Sequence, residues 1–195
     1  MEKKSLELEY KQKENRSKKM LLWFGLVSLV MGFAGWTSAY IVSSKRKDWV
    51  SSMELPQAFI WSSIVIVLSS VTYIIASKQL KKDELQKTFL ALVASFVLAL
   101  IFVLFQFVGF SQMIQNGYYF TGPTSSIKMS FVFLIAFVHL VHLFAGLVSL
   151  TIVLFKTFKQ KYSSTDKIGF ELSATFWHFL GALWIYLILF MYLVN

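Results

Sequence analysis

Three histidines, His139, His142 and His178, are the residues of this chain best suited to proton transfer or metal binding. All three lie within long apolar stretches, where an ionisable side chain is costly and is expected to face protein or water. His139 and His142 are three residues apart and therefore share one face of a helix. The sequence contains no cysteine, which excludes thiolate catalysis, iron-sulfur clusters and cysteine-bound zinc.

A metal site built from these histidines would have at most three nitrogen ligands, because no carboxylate lies in the middle of an apolar stretch. A zinc or di-iron site is therefore not expected, and hydrogen bonds across helices are the favoured role of the histidines. The alternative is a haem held between His178 and one of the other two. The two histidines would lie at different depths in the membrane, which does not favour a shared haem. At ~1.5 Å per residue, His142 lies ~20 Å and His178 ~12 Å from the same membrane boundary.

Five apolar stretches must position these side chains. Each is close to the ~20 residues that cross ~30 Å of hydrocarbon as a helix. With 56% hydrophobic residues, the 22.5 kDa chain has too little polar surface for a water-soluble globule. The sequence therefore predicts an all-α polytopic membrane protein with a charged N-terminal segment, residues 1–20, and a five-helix membrane domain, residues 21–195. The stretches cover residues 21–42, 58–77, 88–113, 129–155 and 172–194.

Lysine and arginine are distributed unevenly among the segments between the apolar stretches. Fifteen of the nineteen lie in the N-terminal segment and in the second and fourth loops. The positive-inside bias then predicts a cytoplasmic N-terminus and an external C-terminus, which requires an odd number of crossings. The net charge of +9 does not indicate nucleic-acid binding, because the basic residues flank apolar stretches, as expected for residues that set membrane topology.

Motifs in the last two stretches resemble subunit III of haem-copper cytochrome c oxidases. Gly169-Phe170-Glu171, followed by Phe176-Trp177-His178-Phe179 and by Trp184, is similar to the family's last-helix signature of G-F-E and W-H-F. The segment from His139 to Gly146, H-L-V-H-L-F-A-G, is similar to the family's H-G-L-H-V-x-x-G. The first stretch, from Trp23 to Met31, resembles the family's W-L-F-L-A-S-E-V-M.

The resemblance implies a divergent five-helix subunit III in the bacterial inner membrane, without a catalytic, cofactor or metal site of its own. It implies packing on the catalytic subunit I, beside the copper-bearing subunit II, in an aa3-type complex that reduces oxygen and translocates protons in aerobic respiration. Haem a and copper would lie in these partners, phospholipids would bind to this chain, and other respiratory complexes could associate. The family-matched structural positions are Gln106, His139, His142, Gly146, Gly169, Glu171, Trp177, His178, Phe179 and Trp184.

Three positions depart from the family pattern. Leu29, Gly109 and Gly181 stand where the family often has acids that it associates with lipid anchoring and proton uptake. The resemblance therefore implies that the scaffold role is kept and that the carboxylate role is lost or delegated. Gly25, Gly32 and Gly35 of the first stretch form a small-residue face, for which close helix packing is expected.

Two other functions remain open from the residues alone. The intramembrane histidines could belong to a haem b-binding membrane anchor of a dehydrogenase. A small transporter is suggested only by hydropathy, and the sequence shows no internal repeat and no deeply placed acid that would support it.

Overall fold

Five α-helices make up the computed structural model, which describes residues 2–46, 49, 55–120, 122, 125–163 and 167–194. Each helix is long and apolar enough to cross a membrane, and the described part of the chain contains no strand. The predicted all-α, five-helix membrane fold is therefore confirmed. The helices are α1 (Glu2–Ser43), α2 (Gln57–Lys81), α3 (Leu85–Gln115), α4 (Ile127–Phe158) and α5 (Ile168–Leu193).

Three of the helices end in the same backbone turn. After α2, α3 and α4 the chain passes through a residue with positive φ, which is Asp83, Gly117 or Gln160. In each case the next amide donates to a carbonyl five residues earlier, for example Glu84 N to Gln79 O at 3.1 Å. This geometry satisfies carbonyls that the end of a helix would otherwise leave open.

Helices α2 to α5 form a four-helix bundle, in which α2 packs on α3 and α5, and α4 packs on α3 and α5. Among the described residues, α1 packs only on α4 and α5, from outside this bundle. It buries a single face, on which Leu26, Phe33, Thr37 and Tyr40 lie. The first helix is therefore the most loosely attached of the five.

Helix α1 continues without a break through the charged N-terminal segment. Its 42 residues span about 63 Å at 1.5 Å per residue, roughly twice the hydrocarbon thickness of a bilayer. The segment, which the sequence left open as surface helix or tail, is thus a helical extension of the first membrane helix. We call the end of the bundle near residue 20, where α3 and α5 begin, the basic end; which side of the membrane it faces remains a prediction.

The outer surface of the bundle is strongly apolar. Leu104 and Phe107 of α3 are each 63% exposed, and Phe144 of α4 is 68% exposed. Large apolar side chains exposed to this extent are unfavourable in water and suit contact with acyl chains or with other membrane helices.

Candidate functional site

Two buried tryptophans of α5 donate hydrogen bonds to two serines of α2. Trp184 Nε1 donates to Ser62 Oγ, and Trp177 Nε1 donates to Ser69 Oγ, each at 3.2 Å. The two serines are seven residues apart on α2, and the two tryptophans are seven residues apart on α5. Seven residues make about two helical turns, so each pair lies on one face of its helix. Because the two helices run in opposite directions, these bonds fix a single antiparallel register. We call this arrangement the Trp–Ser ladder.

The ladder extends toward the basic end through hydroxyl groups. Tyr73 OH of α2 donates to Ser173 Oγ of α5 at 3.0 Å, four residues beyond the Ser69–Trp177 rung on both helices. Ser149 Oγ of α4 donates to the same Ser173 oxygen at 2.9 Å. Three helices are therefore joined at this level by neutral hydrogen bonds, which suit a hydrocarbon environment better than charges do.

Gln106 brings α3 to the outer rung of the ladder. Its Nε2 donates to Ser62 Oγ at 3.0 Å, which is an interhelical bond, and Ser62 Oγ donates in turn to the Phe59 carbonyl at 2.7 Å. Ser62 and Gln106 are both fully buried. A single hydroxyl thus accepts from Trp184 and from Gln106, and joins α2, α3 and α5.

His139 lies inside the bundle and stacks on the outer tryptophan of the ladder. Its ring centroid is 5.1 Å from that of Trp184, with an interplanar angle of 29°, and Phe33 and Phe102 present ring edges to it. Neither ring nitrogen has a hydrogen-bond partner among the described residues. His139 therefore does not make the expected hydrogen bond directly to another helix among the described residues, and aromatic rings surround it.

His142 and His178 face other surroundings. His142 Nδ1 lies 2.8 Å from the Val138 carbonyl of its own helix, so its bond does not cross helices as expected. His178 is half-buried, and its ring meets the edge of Tyr73 of α2 at 5.8 Å. His139 and His142 both meet Phe33 of α1, whereas His178 meets Tyr73 of α2, so His178 does not face the two α4 histidines as a bis-histidine haem would require. Within the described residues, no three His, Asp or Glu side chains lie close enough together to hold a metal ion.

Two family-matched glycines allow close contacts around the ladder. A β-carbon at Gly146 of α4 would lie 2.8 Å from Leu180 Cδ1 and 3.3 Å from Trp177 Cε3. A β-carbon at Gly169 would lie 2.8 Å from the hydroxyl of Tyr162, which precedes α5. Both contacts are too short for any larger residue without rearrangement, so Gly146 lets α4 approach Trp177 closely.

Side chains of α2 crowd two of the three departures. A β-carbon at Gly109 would overlap the ring of Phe59, so Phe59 occupies the volume that an acidic side chain would need there. At Gly181 a β-carbon would make a tight contact of 3.3 Å with Ser70 Oγ, which a shift of a few tenths of an ångström would relieve. Leu29 differs, because it is half-buried and lines an open groove beside α1.

Glu171 lies in the first turn of α5 at the basic end, where a negative charge suits the helix dipole. Its carboxylate oxygens lie 3.5 Å from Lys19 Nζ and 3.9 Å from Lys167 Nζ. The Glu171 side chain is 39% exposed, so these ion pairs contribute little to stability, about 1 kcal/mol or less. The Lys19–Glu171 pair nevertheless connects the middle of α1 to the first turn of α5.

A groove of about 600 Å³ runs between α1 and the faces of α4 and α5. Gly25, Ser28 and Gly32 line it from α1, and His142 and Phe176 line it from the other side. A β-carbon added at Gly25, Gly32 or Gly35 would meet no atom within 4 Å. The expected close packing of this glycine face is therefore wrong within the described part of the chain. Phe179 lines a smaller groove on the other flank of α1, beside Ala34.

The serine acceptors of the ladder were missed by sequence reasoning. Ser62 and Ser69, which accept from the tryptophans, and Ser173, which accepts from Tyr73 and Ser149, are small residues whose types do not identify them as acceptors. A usable signal was present, because two serines on α2 and two tryptophans on α5 have the same seven-residue spacing.

Comparison with known proteins places the chain among oxidase subunits. A sequence model of the family described as cytochrome c oxidase subunit III matches residues 47–195, about three quarters of the chain, from the α1–α2 loop onward. The chain is 26% identical over 175 residues to subunit 3 of the cytochrome bo(3) ubiquinol oxidase of Buchnera aphidicola subsp. Schizaphis graminum, covering 88% of this chain and 91% of the relative.

Two further relatives are described as cytochrome c oxidase subunit 3. The protein of Alkalihalophilus pseudofirmus is 24% identical over 186 residues, which cover 93% of this chain and 89% of the relative. The protein of Neurospora crassa is 27% identical over 143 residues, covering 73% of this chain and 50% of the longer relative. The resemblance to the subunit III family is thereby confirmed.

Replacing Ser62 with alanine is expected to destabilise the bundle more than replacing its neighbour Ser63. Ser62→Ala leaves the donors of Trp184 and Gln106 unpaired and should lower the free energy of unfolding by about 1–3 kcal/mol. Ser63→Ala removes only a bond to the Phe59 carbonyl of its own helix and should cost less than ~0.5 kcal/mol. Denaturant titration of the purified chain in mixed micelles measures both; equal effects would contradict the ladder.

Replacing Gly109 with alanine is expected to lower the free energy of unfolding by about 1–3 kcal/mol, because the new methyl group overlaps the ring of Phe59. Gly25→Ala is the matched control, since its β-carbon enters open space and alanine favours helix by up to ~1 kcal/mol. The same titration should show partial recovery in the double variant Gly109→Ala, Phe59→Leu. If Gly109→Ala proved as harmless as Gly25→Ala, the packing of α2 on α3 described above would be wrong.

Proposed function

Because the chain belongs to the cytochrome c oxidase subunit III family, we propose that it is the non-catalytic subunit III of a bacterial haem-copper oxidase of the aa3 type. It is a multi-pass protein of the bacterial inner membrane and a subunit of an oxidoreductase complex. The observation that carries the proposal is that the family match begins just before α2 and includes the whole four-helix bundle.

The side chains of the bundle suit a scaffold role better than a catalytic one. Oxygen reduction needs several metal ligands close together, whereas no three His, Asp or Glu side chains cluster among the described residues and the Trp–Ser ladder consists of neutral hydrogen bonds. The proposal therefore assigns haem a and copper to the catalytic subunit I and the copper-bearing subunit II. This chain would pack on them and support oxygen reduction coupled to proton translocation.

The apolar outer faces support such packing. Phe107 and Phe110 of α3 and Phe137 and Phe144 of α4 line a depression of about 540 Å³ with almost no polar atoms. Side chains of this kind gain dispersion energy against a facing helix or an acyl chain. A partner subunit, a further respiratory complex or lipid can meet the chain on such a face.

The groove beside α1 supports the proposed binding of a phospholipid. The glycines that line this groove leave room for an acyl chain. The groove runs from Leu21 to Trp36, about 22 Å along the axis of α1. Lys18 and Lys19, each about half exposed, precede the groove at the basic end, where a phosphate group would lie. We place this end on the cytoplasmic side, where anionic lipids attract basic residues.

Purification of the tagged full-length chain from its native membrane in mild detergent tests the proposal. The expected result is co-purification of two larger oxidase subunits by mass spectrometry, with a reduced-minus-oxidised spectrum of haem a. A haem-copper partner containing other haems would overturn the aa3 assignment and keep the subunit III role. A sample without any haem-copper partner would overturn both.

His178→Ala is expected to weaken the complex without changing its haem spectrum. The substitution removes the ring that meets Tyr73, whose hydroxyl joins α2 to Ser173, so the loss is one of packing between α2 and α5. The yield of assembled complex, or its activity during prolonged turnover, should fall several-fold relative to the wild type. Loss of the haem signal from otherwise intact complex would show that His178 acts on the cofactor.

A further inference from the structure

Two fully buried side chains at the centre of the bundle carry polar atoms that lack partners. Gln106 uses its Nε2 to bond Ser62, while its Oε1 has no partner among the described residues. The same holds for both ring nitrogens of His139, whose side chain is 0% exposed. Buried polar atoms are nearly always hydrogen-bonded in native proteins, because leaving them unpaired is costly.

The two side chains are neighbours around Trp184. The indole of Trp184 shares the Ser62 hydroxyl with Gln106, and its ring stacks on His139 with a centroid separation of 5.1 Å. Phe102, one helical turn before Gln106 on α3, lies with its ring 6.4 Å from His139 and 5.4 Å from Trp184. Gln106 and His139 are therefore both neighbours of Trp184, Gln106 at the N–H edge of the indole and His139 on its face.

Because Gln106 Oε1 and both His139 nitrogens have no partner among the described residues, the two side chains make no direct bond to each other. A bridge through one oxygen atom would join them. An N–H···O hydrogen bond joins atoms ~2.9 Å apart, so two such bonds through a shared oxygen connect atoms roughly 5 to 6 Å apart.

The imidazole of His139 and the amide oxygen of Gln106 can both bind a neutral ligand that accepts one hydrogen bond and donates another. A neutral imidazole offers one N–H donor and one nitrogen acceptor, and the amide oxygen is an acceptor only. Water can accept from the imidazole N–H and donate to the amide oxygen. A cation is unsuited, because no carboxylate is available there and hard cations need several oxygen ligands.

We propose that one buried water molecule joins His139 of α4 to Gln106 of α3 beside Trp184. The water completes a continuous hydrogen-bond network through Ser62 and Trp184 that joins all four helices of the bundle. This inference concerns the interior of the chain and does not depend on its place in an oxidase.

Solid-state NMR of the full-length chain in lipid bilayers tests the water on the unmodified protein. Selective ¹⁵N labelling of histidine and tryptophan, with ¹³C labelling of glutamine, makes the ring nitrogens of the three histidines and six tryptophans visible and assignable one by one. Magnetisation transfer from water protons to a ring nitrogen of His139 is the expected result. The indole N–H of Trp177, which donates to Ser69, is the internal control and should show no such transfer. Absence of transfer at His139, or a direct contact between its N–H and the Gln106 carbonyl carbon, would overturn the proposal.

A matched pair of variants tests the second end of the bridge. Gln106→Leu removes the amide oxygen and should abolish the transfer to His139. Gln112→Leu makes the same change at a half-buried glutamine farther along α3 and should preserve it. Undiminished transfer in Gln106→Leu would show that Gln106 does not hold the water. Should Gln106→Leu fail to fold, the measurement on the unmodified chain still decides.

Discussion

The pairing of two indole N–H groups of α5 with two serine hydroxyls of α2 is the constraint on which the rest of the bundle depends. In hydrocarbon an unpaired donor has no bulk water to bond, so the buried tryptophans need acceptors inside the bundle. The equal seven-residue spacing of Trp177 and Trp184, and of Ser62 and Ser69, allows both bonds in only one antiparallel register. Two glycines admit large side chains of these same helices, since Gly146 of α4 admits Leu180 and Trp177 of α5, and Gly109 of α3 admits Phe59 of α2.

This use of polar groups explains how the chain serves a complex without a reaction of its own. The hydroxyl, amide and indole groups in the core bond to one another, and the surface left outside is apolar. A helix bundle with an apolar surface of this kind packs against neighbouring helices and lipids through shape complementarity and dispersion forces. Helix α1 is the exception, because it is attached along one face only and leaves open a groove next to His142. The proposed contacts follow this division, with a partner subunit against the bundle and a lipid in the groove beside α1.

The five helices could be predicted from the sequence because hydrophobic length determines membrane spans, and the predicted stretches fall inside the observed helices except at Val194. The pairing of polar residues could not, since it depends on the rotation of each helix about its axis. His139 illustrates the difficulty, because its position three residues from His142 gave no sign that one ring stacks on Trp184 while the other lines a groove. Gly109 illustrates another, because the motif showed a missing acid, whereas only the structure shows that Phe59 occupies its place. The glycine face of α1 was predicted to pack, and its open environment reflects the outer position of that helix.

Selective removal of this chain from the purified oxidase tests the central claim, that it is a scaffold without a redox centre. Detergent treatment that strips the chain should leave the haem a spectrum and the initial rate of oxygen reduction nearly unchanged. The activity of the stripped complex should then decay several-fold faster during turnover, and adding back the purified chain should restore its lifetime. Loss of haem signal in step with loss of the chain would contradict the account, because it would place a cofactor ligand within these five helices.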